Sequence, residues 1–285
     1  RLSPRRAATA LDVVEHLGAL QSQEIWSGLW SIGARSTDLD LEAVLGACED
    51  ASILRTWPLR NTVHFVPAAD AHWMLELAES FAFKGLQRRR EYLGLSEQAS
   101  EDACVVLGDA LAHGKPVARD ECLELLAKAE VLTDRRHGYH LLWFAAQRGV
   151  ICMGPPRGST QTFVALGTWV PEPRHLDRTA ALAELAGRYF TSHGPAPIGE
   201  LKRWSGLGMA DVRAAVAAAG DRLGEVPTEL GPMLTGAKQA GAIGDDPIEP
   251  AEGARRVLLL SGFDEYVLGY GDRSAIMQPA HLKLV

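Results

Sequence analysis

Gln21 and Gln23, with Ser22 between them, are the residues whose type and spacing best suit chemistry. On extended or irregular backbone, residues two apart project to the same side, so both carboxamides can converge on one point. Each amide offers a carbonyl acceptor and two N–H donors, enough to hold and orient one water molecule. Neither titrates in water, so neither can act as a general base. Such a pair suits a reaction whose leaving group is already activated and whose nucleophile needs only to be aimed. The alternative is a polar helix end carrying two solvated glutamines, and the tripeptide alone leaves both readings open.

The elements that must position this pair come just before it. Residues 7–17 place apolar side chains at Ala10, Val13, Val14 and Leu17, the helical spacing. Gly18 then loosens or ends the helix, so the glutamines fall where the chain leaves it. Further helices are expected at 26–31 and 40–45, the latter with Asp38 or Asp40 as N-cap. Residues 53–66 are rich in β-branched and aromatic residues and turn at Pro58 and Asn61, which predicts two strands of a hairpin. Pro67 and Asp70 then open a helix through Leu77. Helices followed by a two-stranded ribbon form the pattern of a winged helix-turn-helix.

The pattern recurs. Helices are expected at 99–113, in a second run that residues 116–120 lead into and that continues through 127, and at 139–148, with Gly149 as the stop, followed by strands 150–153 and 161–166 around a turn at 154–158. A third round reads as helices at 179–190, 197–204 and 209–219, with a poorly marked wing near 226–228. Residues 236–253 read as loop, 256–260 as a buried strand, and 263–270 as the start of another β-rich unit.

The 285 residues are 47% hydrophobic, enough for more than one core. No run approaches the ~18 consecutive apolar residues of a membrane span, so none is expected. Cys48, Cys104, Cys122 and Cys152 are scattered without zinc or redox spacing, as expected of reduced, buried thiols in a cytoplasmic protein. No metal-ligand spacing and no glycine-rich phosphate loop appears, so neither metal nor cofactor is expected. The chain starts at Arg1 without methionine or leader and is expected to be part of a longer protein. A net charge of −7 counts against indiscriminate coating of nucleic acid but permits a local basic channel. Basic residues cluster at 5–6, 88–90, 135–137, 202–203 and 255–256. The preference for arginine over lysine suits bidentate phosphate contacts, or equally reflects a GC-rich genome.

Four ordered motifs carry a resemblance: Gln21-Ser22-Gln23, residues 54–64 (LRTWPLRNTVH), residues 153–158 (MGPPRG) and residues 263–274 (FDEYVLGYGDRS). Together they resemble the tandem winged-helix DNA glycosylases of the AlkZ/YcaQ type, across essentially the whole chain. The resemblance implies a mainly α fold with small β-hairpins (α+β). It comprises three winged-helix modules at 1–95, 96–175 and 176–230, then a loop and partial C-terminal β-barrel module at 231–285. It places the Gln-x-Gln motif in a DNA-sized channel, which makes Gln21 and Gln23 the catalytic candidates. The implied activity is cofactor-free removal of N7-alkylated purines, interstrand crosslinks included, from duplex DNA, with a role in self-resistance to alkylating natural products. A monomer is expected. Asn61 stands where a glycine is expected, but Asn tolerates the same left-handed backbone.

Arg55, Arg60, His64, Arg157, Lys202 and Arg203 are the candidate DNA contacts. For His64, a packed histidine at the base of the hairpin is an equal alternative. His137 and His140 are expected to mark a helix start rather than to act in catalysis. Asp264, Glu265, Asp272 and Arg273 read as an ion-pair network holding the last module, with channel lining as the alternative. The rival function is a non-enzymatic winged-helix DNA-binding protein or transcription regulator, and a third is an interaction scaffold. Neither explains the paired glutamines.

Overall fold

The computed structural model describes residues 7–132, 134–229, 231–241, 257–274, 276–278 and 280–281. The composition is mixed α/β, 54% helical and 14% strand, so helices dominate as expected. By packing the chain divides into two compact units, one of residues 1–44 with 176–285 and the other of residues 45–175.

The second unit carries five antiparallel strands. In spatial order they are Thr62–Pro67, Ile53–Leu59, Ile151–Met153, Thr162–Ala165 and Val117–Ala118. The expected hairpin is there, with Arg55 opposite Phe65 and Thr56 opposite His64. Its register slips between Thr56 and Leu59, where Pro58 has no N–H to give the ladder. The turn sets both Arg60 (φ 51°) and Asn61 (φ 57°) left-handed, the geometry that favours Asn and Gly in two-residue hairpins. Asn61 thus does the work of the expected glycine. Behind the sheet, helices Glu97–Leu111, Arg119–Lys128 and Gly138–Gln147 bury Leu107, Leu111, Leu126 and Leu141 against Ile151 and Phe163. Each of these six residues is 1% exposed or less. Gln147 seals the join by donating from Nε2 to the carbonyl of Trp57 at 2.9 Å.

In the first unit, helix Arg178–His193 packs on helix Met209–Ala219 and on helix Ala10–Leu17. Helix Ile198–Ser205 precedes Met209–Ala219, and an antiparallel pair, Leu223–Val226 with Met233–Gly236, follows it. That pair is the wing the sequence marks only at residues 226–228. Tyr189, Phe190 and Trp204 are wholly buried between these elements.

Two expectations are corrected. Residues 236–253, expected as loop, begin with a short helix, Ala237–Ala240; the rest from 242 lies outside the described residues. The C-terminal β-rich module does not appear among the described residues after Gly236, which hold two short helices, Ala237–Ala240 and Glu265–Leu268, and no strand. Val257 and Leu259, expected in a buried strand, are 92% and 76% exposed. Among the described residues their apolar run has no strand to pair with, and without one an apolar run is only extended chain.

Candidate active site

The entry to the glutamine pair is fixed by two helix ends. Thr9 caps helix Ala10–Leu17 in a reciprocal box with Asp12, each side chain taking the other's backbone N–H. Gly18, at φ 80°, terminates the helix as expected. A Cβ at Gly18 would lie 3.4 Å from Arg188 Cβ and 3.7 Å from Trp204 Cη2, so the turn is packed as well as bent. Leu20 and Gln21 are extended. The chain then bends at Gln23 into helix Ile25–Gly33, whose N-terminus Glu24 caps by accepting from Trp26 N (3.0 Å) and Ser27 N (2.7 Å). The Glu24 carboxylate is therefore spent on the helix end.

The two glutamines are not equivalent. Gln21 is 9% exposed, whereas Gln23 is exposed and Ser22 between them is wholly buried. The Gln21 N–H donates to Glu265 Oε1 at 3.2 Å, a contact across 244 residues of sequence. Glu265 is itself 0% exposed. Its other oxygen accepts from Trp204 Nε1 at 3.1 Å and lies 3.5 Å from His193 Nε2. The His193 ring stacks on Tyr189, centroids 4.6 Å apart and planes within 9°. Gly269 leaves room for it, because a Cβ there would meet His193 Cδ2 at 2.7 Å.

Ser192 Oγ lies 2.7 Å from His193 Nδ1, which with Glu265 has the outline of a nucleophilic triad. The geometry opposes that role. Ser192 Oγ also donates to the Arg188 carbonyl at 2.7 Å, and Ser192, His193 and Glu265 are 3%, 0% and 0% exposed, beyond reach of any substrate. These residues support the site from behind.

Asp264 is held more firmly still. Arg35 donates to both its oxygens, at 2.7 and 2.9 Å, Ser31 Oγ at 2.6 Å and Tyr266 N at 2.8 Å. Burial opposes ionisation of Asp264, but the bonds and charge of Arg35, with those of Ser31 and Tyr266 N, outweigh it and leave the carboxyl below its ordinary range. Asp264 is thus part of an internal ion pair, as the sequence reading of this segment expects. Glu200 plays a similar part, taking Arg203 Nε (2.9 Å) and the Gly271 N–H (2.8 Å).

The candidate DNA contacts divide by exposure. Lys202 and Arg157 are exposed and Arg60 half-buried. Arg203 is half-buried and engaged internally with Glu200 and the Leu268 carbonyl. Arg55 is 8% exposed and lies over the Phe65 ring. His64 has no exposed surface, its Nδ1 2.8 Å from the Thr62 carbonyl, which is the packed-histidine alternative. His137 stands at the start of helix Gly138–Gln147, as expected. Burial, with Arg89, Arg90 and His137 nearby, lowers His140 to about 4, so it is neutral near pH 7.

Cys48, Cys122 and Cys152 are buried and Cys104 partly so; burial raises all four, Cys48 and Cys122 to about 12 and Cys104 to about 11. These are inert thiols. Among the described residues no cluster of three His, Cys, Asp or Glu is placed to hold a metal ion, and no helix is long and apolar enough to cross a membrane.

The helical fold and a glutamine motif seated on a buried carboxylate meet a family match here: the chain belongs to the AlkZ-like DNA glycosylases, whose family model matches residues 14–285. An interstrand DNA cross-link repair glycosylase of Streptomyces sahachiroi is 28% identical over 302 residues, covering 100% of this chain and 78% of the relative. The solved structure of Streptomyces sahachiroi DNA glycosylase AlkZ superposes with a TM-score of 0.81 at 24% identity, over 100% of this chain and 78% of that one. At that identity the superposition speaks to the fold.

Proposed function

We propose that this chain hydrolyses the N-glycosidic bond of N7-alkylated purines in duplex DNA, as a monofunctional glycosylase that leaves an abasic site and needs no cofactor. The observation that carries the reading is Gln21. Its amide stands nearly buried on a backbone pinned by a buried carboxylate, two residues before an exposed second amide, within a family of DNA glycosylases. An N7-alkylated purine is already cationic, so its bond to the sugar breaks without a general acid. What remains is to aim water at an oxocarbenium-like sugar, as in glycoside hydrolysis, and neutral amides can do that. An uncharged, undamaged purine should then be a poor substrate.

The relative's name extends the proposal to interstrand crosslinks, and we add self-resistance to alkylating natural products as the role such an activity would serve. In this reading the three runs of three helices and a hairpin, ending at Pro67, Ala165 and Gly236 in chain order, are the three winged-helix modules. The exposed Arg157 and Lys202 and the turn residue Arg60 meet phosphates, while Arg55 and His64 brace the first hairpin. The test is release of N7-methylguanine from a defined duplex by the full-length protein, read as alkali-induced strand scission. Binding without release across several N7 adducts would replace this reading with a DNA-binding protein that does no chemistry.

A further inference from the structure

Glu265 presents a problem that fold stability alone does not solve. Burying a carboxylate costs several kcal/mol unless its partners compensate, and a purely structural staple is made more cheaply from apolar packing. Here the carboxylate is 0% exposed, and its two oxygens point different ways. Oε1 takes the Gln21 backbone N–H at 3.2 Å, and Oε2 takes the Trp204 indole N–H at 3.1 Å. With each oxygen accepting an N–H, a glutamine here would turn its NH2 toward one of the two donors. The position is over-determined from behind: Asp264, one residue earlier, is locked to Arg35 and Ser31, and Gly269 admits His193 against Oε2.

We propose that Glu265 is a positioning residue for the reaction, fixing the Gln21 backbone so that its carboxamide aims the attacking water. This rests on the glycosylase reading of Gln21. Displacing a positioned group by about an ångström is enough to lose much of the advantage of orientation. The role is through Gln21, because the buried carboxylate touches that residue's N–H and has no surface to offer a substrate.

A double-mutant cycle separates this from a structural role. Glu265→Gln should slow single-turnover base release by about 10²-fold while DNA affinity changes by less than about threefold. In a Gln21→Ala background the same change should cost less than about threefold more, because its effect travels through Gln21. Rates are referred to the folded fraction by titration of DNA-binding sites. Should Glu265→Gln not fold, Trp204→Phe removes one N–H and keeps a ring. It should slow release several-fold in the native background and not at all with Gln21→Ala. Equal losses in both backgrounds, or a Glu265→Gln protein at native rate, would overturn the proposal while leaving Gln21 catalytic. A native protein that releases no base would instead remove the glycosylase reading, and this inference with it.

Discussion

Removing Arg35 should cost the unit of residues 1–44 and 176–285 more than any change on its surface. The guanidinium and Asp264 are 4% and 1% exposed and joined by two bonds, and Arg35 Nη1 also donates to the Ser31 carbonyl at 2.9 Å. Arg35→Ala strands a buried carboxylate that keeps only Ser31 Oγ and the Tyr266 N–H. Breaking a buried pair from one side costs about 3–5 kcal/mol, most of it the penalty of the abandoned charge. For a unit of this size, about 2–4 °C per kcal/mol converts that to a fall in Tm of about 6–20 °C. The assay is thermal and urea unfolding of the native protein, Arg35→Ala, Asp264→Ala and an Arg35→Met/Asp264→Leu double variant. The double variant should recover much of the loss, because no orphan charge remains. A single-variant loss under about 1 kcal/mol, or a double variant at the sum of the singles, would refute the reasoning.

Asp264 also sets a pH limit. Its folded pKa lies below its unfolded one, so its stabilisation is complete above the ordinary carboxylate range and is lost as pH falls through the folded value. Unfolding free energy should therefore drop below about pH 4, and Asp264→Asn should flatten that drop. Gly269→Ala should destabilise by about 1–3 kcal/mol, since its methyl would meet the Glu265 carbonyl at 2.5 Å and His193 Cδ2 at 2.7 Å; an unchanged melting curve would show that backbone and ring can both give way. If phosphate contacts by Arg60, Arg157 and Lys202 dominate binding, DNA affinity should fall steeply with salt. Replacing Lys202 should reduce the log–log slope by about one, and affinity indifferent to salt would exclude this mode.

What the sequence made legible is what local chemistry specifies. Gly18 ends its helix, Asp40 caps helix Leu41–Glu49 by taking the Ala43 N–H at 2.8 Å, and Asn61 turns the first hairpin left-handed, each as its residue type dictates. Helix Leu86–Leu93 escaped the reading because none of its side chains is buried, so it leaves no apolar period to detect. The pair Leu223–Val226 and Met233–Gly236 escaped because glycines and half-exposed positions blur its alternation. Val257 and Leu259 misled for the converse reason: an apolar run reports hydrophobicity, not whether a partner strand lies beside it. At the site, the glutamines were visible and their support was not. The Glu265 contact to Gln21 spans 244 residues, and no spacing rule connects them.

The central claim is that the Gln21 and Gln23 amides aim water at the sugar, and single-turnover release of N7-methylguanine from a defined duplex tests it most directly. The native protein should release base and leave an alkali-labile site. Gln21→Ala and Gln23→Ala should each raise the barrier by about 2–4 kcal/mol, with DNA affinity near native. Release by both variants at the native rate, or loss that follows DNA affinity alone, would contradict the account.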